Sequence, residues 1–420
     1  GIFSCQNKNF RLYAGGNASL LVILIVSITN TSHEPQFLSG TETTVLSELE
    51  HIRWLPTSAL APETLRKGTL LLILLGVTGP CAFVFVGSRR TIRFILWIIV
   101  SNAVLLSVVG LIFKLSGSSK ILGHFEVADA RYFFSTFTYK NHWGAYCILA
   151  LGGIAALTQY YISSTSAHTR GKRSPVPVLI LASLIVGITV PISGSRSCSV
   201  IYFLLLIVYF TQLLSDFIPL TLGKAKRSIL SGIGAAGICM LLAYSAYFTH
   251  RETHDEMLLI TSRQIDNAKE GRFETRIYIS RDTWKMFMDK PVWGWGLGSY
   301  RFIINDQGKY LGDEHEYAYT YAHNDWFQYL AEVGIVGFAL IAIVIICAYN
   351  LNKNMGVKNP ISSWIWCTIL TLLAYAFIEF PCRTPAVSTH LVILTAVATK
   401  YSVLEKKWRL SFGKGNRSVD

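Results

Sequence analysis

Ala322–Gly337 reads AHNDWFQYLAEVGIVG, a passage that goes from polar residues straight into an apolar run. Asn324 and Asp325 are both residue types that cap helices, and Phe327, Leu330, Ala331 and Gly334 follow His323 at helical spacing. The pattern predicts a helix that starts here with the histidine on its first turn. If the apolar run then crosses a bilayer, a titratable imidazole stands at the membrane surface, exposed and aimed as a base would be.

Composition meets that condition. Of 420 residues, 51% are hydrophobic and only 15% charged, where soluble domains carry about 25%, and the mean hydropathy is +0.41. Apolar runs near the crossing length of about 20 residues fall at about 13–30, 69–87, 92–115, 141–162, 176–193, 199–217, 229–248, 333–350, 363–381 and 384–400. An all-α polytopic membrane protein is expected, with ten spans by this reading. The net charge of +13 does not indicate a nucleic-acid binder, because the basic residues sit in short clusters between apolar runs rather than on one soluble face.

Those clusters alternate from loop to loop: Lys8 and Arg11; Arg89, Arg90 and Arg93; Arg170, Lys172 and Arg173; Lys224, Lys226 and Arg227; Lys353 and Lys358; and Lys406, Lys407 and Arg409. The positive-inside rule assigns them to the cytoplasm. The loops 31–68, 116–140, 194–198, 249–332 and 382–383 then face outward, and the largest of them holds His323. With no repeat and no linker in the chain, residues 1–420 read as one transmembrane domain in which 249–332 is a long outward loop. Within that loop Arg276–Met288 suits an amphipathic helix ending before Pro291. Gly294, Gly296 and Gly298 resemble part of a nucleotide-binding fingerprint, but no strand is expected before them, so that match is rejected.

The eight cysteines are spread singly, with neither a disulfide framework nor a zinc spacing. Cys198 and Cys382 both fall at outward span ends, where a bridge is chemically allowed but not implied. No HExxH pattern is present, so no metal and no cofactor are expected.

Besides His323, four groups carry candidate chemistry. Arg196, in the turn Ser193–Cys198, offers a forked guanidinium suited to two phosphate oxygens; the plainer reading is an interfacial arginine snorkelling to lipid. Arg272, Arg276 and Arg281 precede the glycine-rich run, and Arg276 reads equally as a solvated residue paired with Asp282 or Glu274. Lys140, Asn141 and His142, at the head of a span, either line a sugar or phosphate cleft or belong to an aromatic interfacial belt. Glu332, at the entrance of a span, orients a base or caps a helix.

Taken together, His323-Asn324, Glu332-x-Gly334-x-x-Gly337, Arg276 fifteen residues before Pro291, Phe137–His142 and the Gly194-Ser195-Arg196 turn resemble the bacterial O-antigen ligase superfamily. That superfamily also contains O-antigen polymerases and O-linking oligosaccharyltransferases. The resemblance spans roughly residues 130–350. It implies a GT-C-type transmembrane bundle of about 10–12 spans in the bacterial inner membrane, with its active site facing the periplasm. It also implies metal-independent, inverting transfer of a glycan from an undecaprenyl-pyrophosphate carrier.

Carried over by motif, His323, Arg276 and Arg196 are the catalytic residues, and Lys140, Asn141, His142, Arg272 and Asn324 contact substrate. Two departures stand out. Ser280 replaces the tryptophan usual one turn after the loop arginine, with Trp284 a turn further on, and Arg272 rivals Arg276 for its role. The expected activity is that of an O-antigen ligase with a lipid A core as acceptor. The alternatives are a polymerase using a lipid-linked repeat and, behind it, a protein O-oligosaccharyltransferase, less favoured because the tail is short. A lipid-linked glycan transporter fits less well, because few charges lie within the spans. Beyond donor, acceptor and membrane lipids, no partner is expected, nucleic acid included.

Overall fold

The computed structural model describes residues 8–37, 44–118, 120–121, 124–126, 133–164, 174–215, 224–249, 259, 262, 266, 275–306, 319–353 and 360–415. Among them six helices are long and apolar enough to cross a membrane: Pro62–Val84, Arg89–Leu115, Lys140–Ser163, Arg196–Ser215, Asp325–Asn352 and Pro385–Glu405. Four shorter apolar helices occupy Tyr13–Thr29, Val176–Ile192, Ser228–Met240 and Ile361–Tyr375. Each of the ten expected spans coincides with one of these helices, and the protein is an all-α polytopic membrane protein.

The chain divides into two compact units, each discontinuous in sequence: Gly1–Gly87, Gly271–Val357 and Leu373–Asp420 form the first, Ser88–Glu270 and Lys358–Leu372 the second.

In the first unit, α1 (Lys8–Thr29) leads into three short strands, β1 (Thr31–Phe37), β2 (Thr44–Glu48) and β3 (Ser58–Ala59), before α2 (Pro62–Ile73). β1 pairs antiparallel with β2 (His33 opposite Glu48) and parallel with β3 (Thr31 opposite Ser58). No period of two announces this sheet in the sequence, because its strands are too short and polar. A π-turn at Leu74–Thr78 joins α2 to α3 (Gly79–Phe85); Pro80 has no N–H for the carbonyl one turn back, which favours the wider register.

The second unit holds α4 (Arg89–Leu115), α5 (Lys140–Ser164), α6 (Val176–Ile192), α7 (Arg196–Ser215), α8 (Lys224–Thr249) and most of the apolar helix after residue 358. α5 is its core, with Trp143, Tyr146, Leu149 and Leu151 fully buried. Glycines let neighbours approach α5 closely: a Cβ on Gly144 would lie 2.3 Å from the Cβ of Cys198, and one on Gly152 would lie 2.2 Å from Oγ1 of Thr368. Such small-residue contacts are how helices associate where lipid removes the hydrophobic drive between them. The internal polar groups bond to one another, as in Trp143 Nε1 to Thr189 Oγ1 (3.2 Å) and Asn102 Nδ2 to the Tyr146 hydroxyl (2.8 Å).

Back in the first unit, α9 (Thr275–Asp289) matches the amphipathic helix expected in the long loop, and α10 (Tyr300–Ile304) follows it. α11 (Asp325–Lys353) is broken at Gly334, whose φ of 62° and ψ of −173° no helix accommodates. The glycine-rich run fills the break. Trp295 N and Gly296 N donate to Ala331 O and Glu332 O (3.0 and 2.7 Å), while Ile335 N donates to Pro291 O (2.8 Å). Glycine is required on both sides, since a Cβ on Gly334 would meet Val292 O at 2.3 Å and one on Gly294 would meet Glu332 O at 2.5 Å. The run after Pro291 is thus a plug for a broken span, which explains the glycines without any nucleotide. α12 (Pro360–Tyr375), a turn at Pro381–Arg383 and α13 (Pro385–Gly415) complete the chain.

Candidate active site

His323 lies immediately before α11 in a left-handed backbone conformation (φ 50°), one of only two non-glycine residues with positive φ among those described. Such a conformation costs about 1–3 kcal/mol and persists only where the surroundings enforce it. Here they do so from both sides. Ala322 N donates to Gln328 Oε1 (3.1 Å), and Asn324 Oδ1 caps the helix by accepting from Phe327 N (3.0 Å). Asp325 N donates to Ala376 O and Glu379 O (2.9 and 3.2 Å). Ala322, Asn324 and Asp325 are buried while the His323 side chain remains 30% exposed.

Glu379, in the turn after α12, joins this imidazole to a cation. Its Oε1 accepts from Nη2 of Arg276 at 2.8 Å, and its Oε2 lies 3.7 Å from Nδ1 of His323. That Nδ1 is buried and, among the described residues, without a hydrogen-bond partner. Arg276, on the first turn of α9, also donates Nη1 to Ile378 O (3.1 Å), yet its side chain is 44% exposed. A guanidinium has five N–H donors, and these bonds to described residues use two of them. Phe380 presents its ring edge-on to His323 (centroids 4.9 Å apart) and stacks on Tyr321 (4.7 Å). Lys67 of α2 sits over the Tyr321 ring at 5.3 Å and pairs with Glu63 (2.8 Å).

Beneath these groups, Arg383 donates Nε to Asp325 Oδ1 (3.0 Å) and Nη1 to Glu332 Oε2 (2.9 Å), and its guanidinium lies over the Tyr329 ring at 4.4 Å. Burial opposes its charge most strongly, but Glu332, Tyr329 and Asp325 more than offset this and raise its pKa above the ordinary arginine value. Burial likewise pushes the neighbouring Cys382 thiol well above its usual range, which leaves it neutral and unreactive. Cys198 and Cys382 are both free thiols.

The sequence candidates fall in separate places. His323, Asn324 and Arg276 belong to the first unit, and the contacts through Glu379 bring His323 and Arg276 together. Asn324 serves its helix as a cap, and Glu332 pairs with Arg383 instead of capping. Arg276 pairs with Glu379 rather than Asp282, which is taken by Lys285 and Arg281 (2.9 and 3.2 Å), and Glu274 lies outside the described residues. Arg272 lies outside the described residues, as does most of 250–274 and all of 307–318.

In the second unit, Lys140, Asn141 and His142 open α5 and Arg196 opens α7. Asn141 is buried, accepting from Ser195 Oγ (2.6 Å) and donating to the Tyr139 hydroxyl (2.9 Å), and the His142 ring lies edge-on to Tyr139. The head of α5 is therefore bonded directly to the turn that carries Arg196.

Glu379 and Arg383 were legible from sequence only as charges near span ends. Their signal was that position itself, because an ionisable group in an apolar setting usually has a functional partner.

No curated protein matches the chain. Residues 181–342 match the family model described as O-Antigen ligase, a stretch that holds Arg196, Arg276 and His323 and stops short of Glu379 and Arg383. The chain is a multi-pass membrane protein, and over that stretch it is similar to the O-antigen ligase family, whose members transfer lipid-linked glycans.

Proposed function

We propose that the protein is an O-antigen ligase, transferring a polysaccharide from undecaprenyl pyrophosphate to a sugar hydroxyl of a lipid A core at the periplasmic face of the inner membrane. The observation that carries this reading is the His323–Glu379–Arg276 arrangement, a base and a cation held by one carboxylate at the head of a span. In the reaction the acceptor oxygen forms a bond to the anomeric carbon as the bond from that carbon to the pyrophosphate oxygen breaks. His323 takes the hydroxyl proton with the Glu379 carboxylate facing its Nδ1, and undecaprenyl pyrophosphate leaves with the bonding electrons. Arg276 supports this departure because its attraction to the leaving group grows as negative charge builds there. Arg196, by motif, contributes a second guanidinium. One displacement inverts the anomeric centre.

A polymerase acting on a lipid-linked repeat would use the same donor chemistry, and the two differ only in acceptor. The test is a reconstituted assay with the lipid-linked polysaccharide and lipid A core in one tube and the single lipid-linked repeat in another. Polymer on lipid A core is the expected result; lengthening of the repeat without transfer to core would make the protein a polymerase, and no transfer in either tube would defeat both readings.

A further inference from the structure

Two segments far apart in sequence supply the central pair: residues 322–325 carry His323, and residues 376–380 carry Glu379. Neither is held by its own helix alone. One side chain lies behind both. Arg383 is 4% exposed and binds Asp325 and Glu332 through different nitrogens. Through Asp325 it reaches the Glu379 side: Asp325 N donates to Glu379 O, and Asp325 Oδ2 accepts from Cys382 N (2.8 Å). Through Glu332 it reaches the histidine side. Glu332 Oε1 accepts from Gln328 Nε2 (3.0 Å), and Gln328 Oε1 accepts from Ala322 N, the residue before His323. Glu332 also marks the helix break, where its carbonyl is taken by Gly296.

From this geometry we propose that Arg383 is a positioning residue, setting His323 and Glu379 in register by clamping their two backbone segments through Asp325 and Glu332. The role rests on His323 being the base, as proposed above. Two features separate it from a plain buried ion pair. Among the described residues Nη2 of Arg383 is buried with no hydrogen-bond partner, an arrangement that stability alone disfavours. The two carboxylates also outnumber the guanidinium, and an unbalanced buried cluster adds little to stability compared with apolar packing. A fork with two fixed donors nevertheless imposes an angle between the segments that lysine, a single point charge, cannot reproduce.

The test compares full-length Arg383→Lys, Glu332→Gln and the neutral triple Arg383→Met/Asp325→Asn/Glu332→Gln with wild type in nanodiscs. The assay is the polysaccharide transfer described above, followed together with melting temperature. Displacing a reacting group by about 1 Å costs about a hundredfold in rate, so R383K should lower kcat by about that factor while the donor KM changes by less than about threefold. The triple variant should keep its melting temperature and remain slow. A kcat that follows melting temperature across all three variants, or a triple variant restored to wild-type kcat, would overturn the role. His323→Ala separates the two layers: wild-type turnover there removes the base itself, whereas an inactive H323A beside a fully active R383K removes only the positioning.

Discussion

The Asn141 side chain is neutral and joined in short internal bonds, with Ser195 and Tyr139 holding both ends of the amide and Gly144 bringing the next helix within contact. Around His323 the side chains are charged, arranged as carboxylate beside cation, and a buried imidazole nitrogen has no hydrogen-bond partner among the described residues. Neutral, satisfied hydrogen bonds weld helices together. Unpaired donors and paired charges cost stability where they stand, and a fold keeps them where a ligand completes the set. Both places looked alike in sequence, as polar residues at the head of an apolar span.

The comparison breaks or holds first on a pair of alanine variants. His323→Ala should reduce transfer by about 10²–10⁴-fold, the usual contribution of a general base, with the melting temperature little changed. Asn141→Ala should do the reverse, lowering stability by about 1–3 kcal/mol through the stranded Ser195 hydroxyl with transfer largely kept. Transfer assays and thermal unfolding on both proteins check this, and loss of transfer in a stable Asn141→Ala would show that the weld also meets substrate.

Glu379→Gln comes next. The amide keeps the shape and can still accept from Arg276, but it removes the negative charge that faces Nδ1 of His323. A loss of about tenfold to a hundredfold in kcat is expected, as for a reacting group no longer held in its best geometry. Donor KM should rise as well, because Arg276 then loses its ion pair and is held by neutral hydrogen bonds alone. An unchanged KM with reduced kcat would mean that Arg276 is placed by the Ile378 carbonyl alone.

How far the sequence anticipated this contrast depends on which contacts are local. The ten apolar helices were legible because each is a continuous run long enough to cross a bilayer, and α9 because Pro291 and the glycines punctuate its end. His323 and Arg276 stood out through their motifs. Their connection through Glu379 did not, since it joins residues about a hundred positions apart (|i−j| = 103 for Arg276 and Glu379) and no periodicity reports a long-range contact. The break at Gly334 was hidden for the opposite reason: locally, Val333–Gly337 reads as one more turn of apolar helix, and only the plug supplied by Pro291–Gly296 makes the non-helical conformation affordable.

Packing in the second unit yields a smaller effect. Gly144→Ala places a methyl 2.3 Å from the Cβ of Cys198 and 2.6 Å from its sulfur, an overlap that should cost about 1–3 kcal/mol of stability in thermal unfolding. Because the nearer clash is with the Cβ, Cys198→Ala in the same chain should recover little of it, and full recovery would assign the contact to the sulfur alone.

The smallest effect divides the two regions most finely, because Asn324 was expected to touch substrate and the structure shows it capping α11. Loss of an asparagine cap costs about 0.5–2 kcal/mol, so Asn324→Ala should lower the melting temperature by an amount of that size. Asn324→Asp or Asn324→Ser, both good caps, should restore it. If the side chain only caps, transfer should recover with stability in both replacements. If it also contacts the donor, the two should part: aspartate would place a negative charge beside the departing pyrophosphate and raise the donor KM at normal stability, while serine, too short to reach beyond Phe327 N, would restore the fold and leave binding weak. Donor KM and melting temperature measured on these three variants therefore decide whether the polar residue next to His323 belongs with the welded helices around Asn141 or with the charged groups around Glu379.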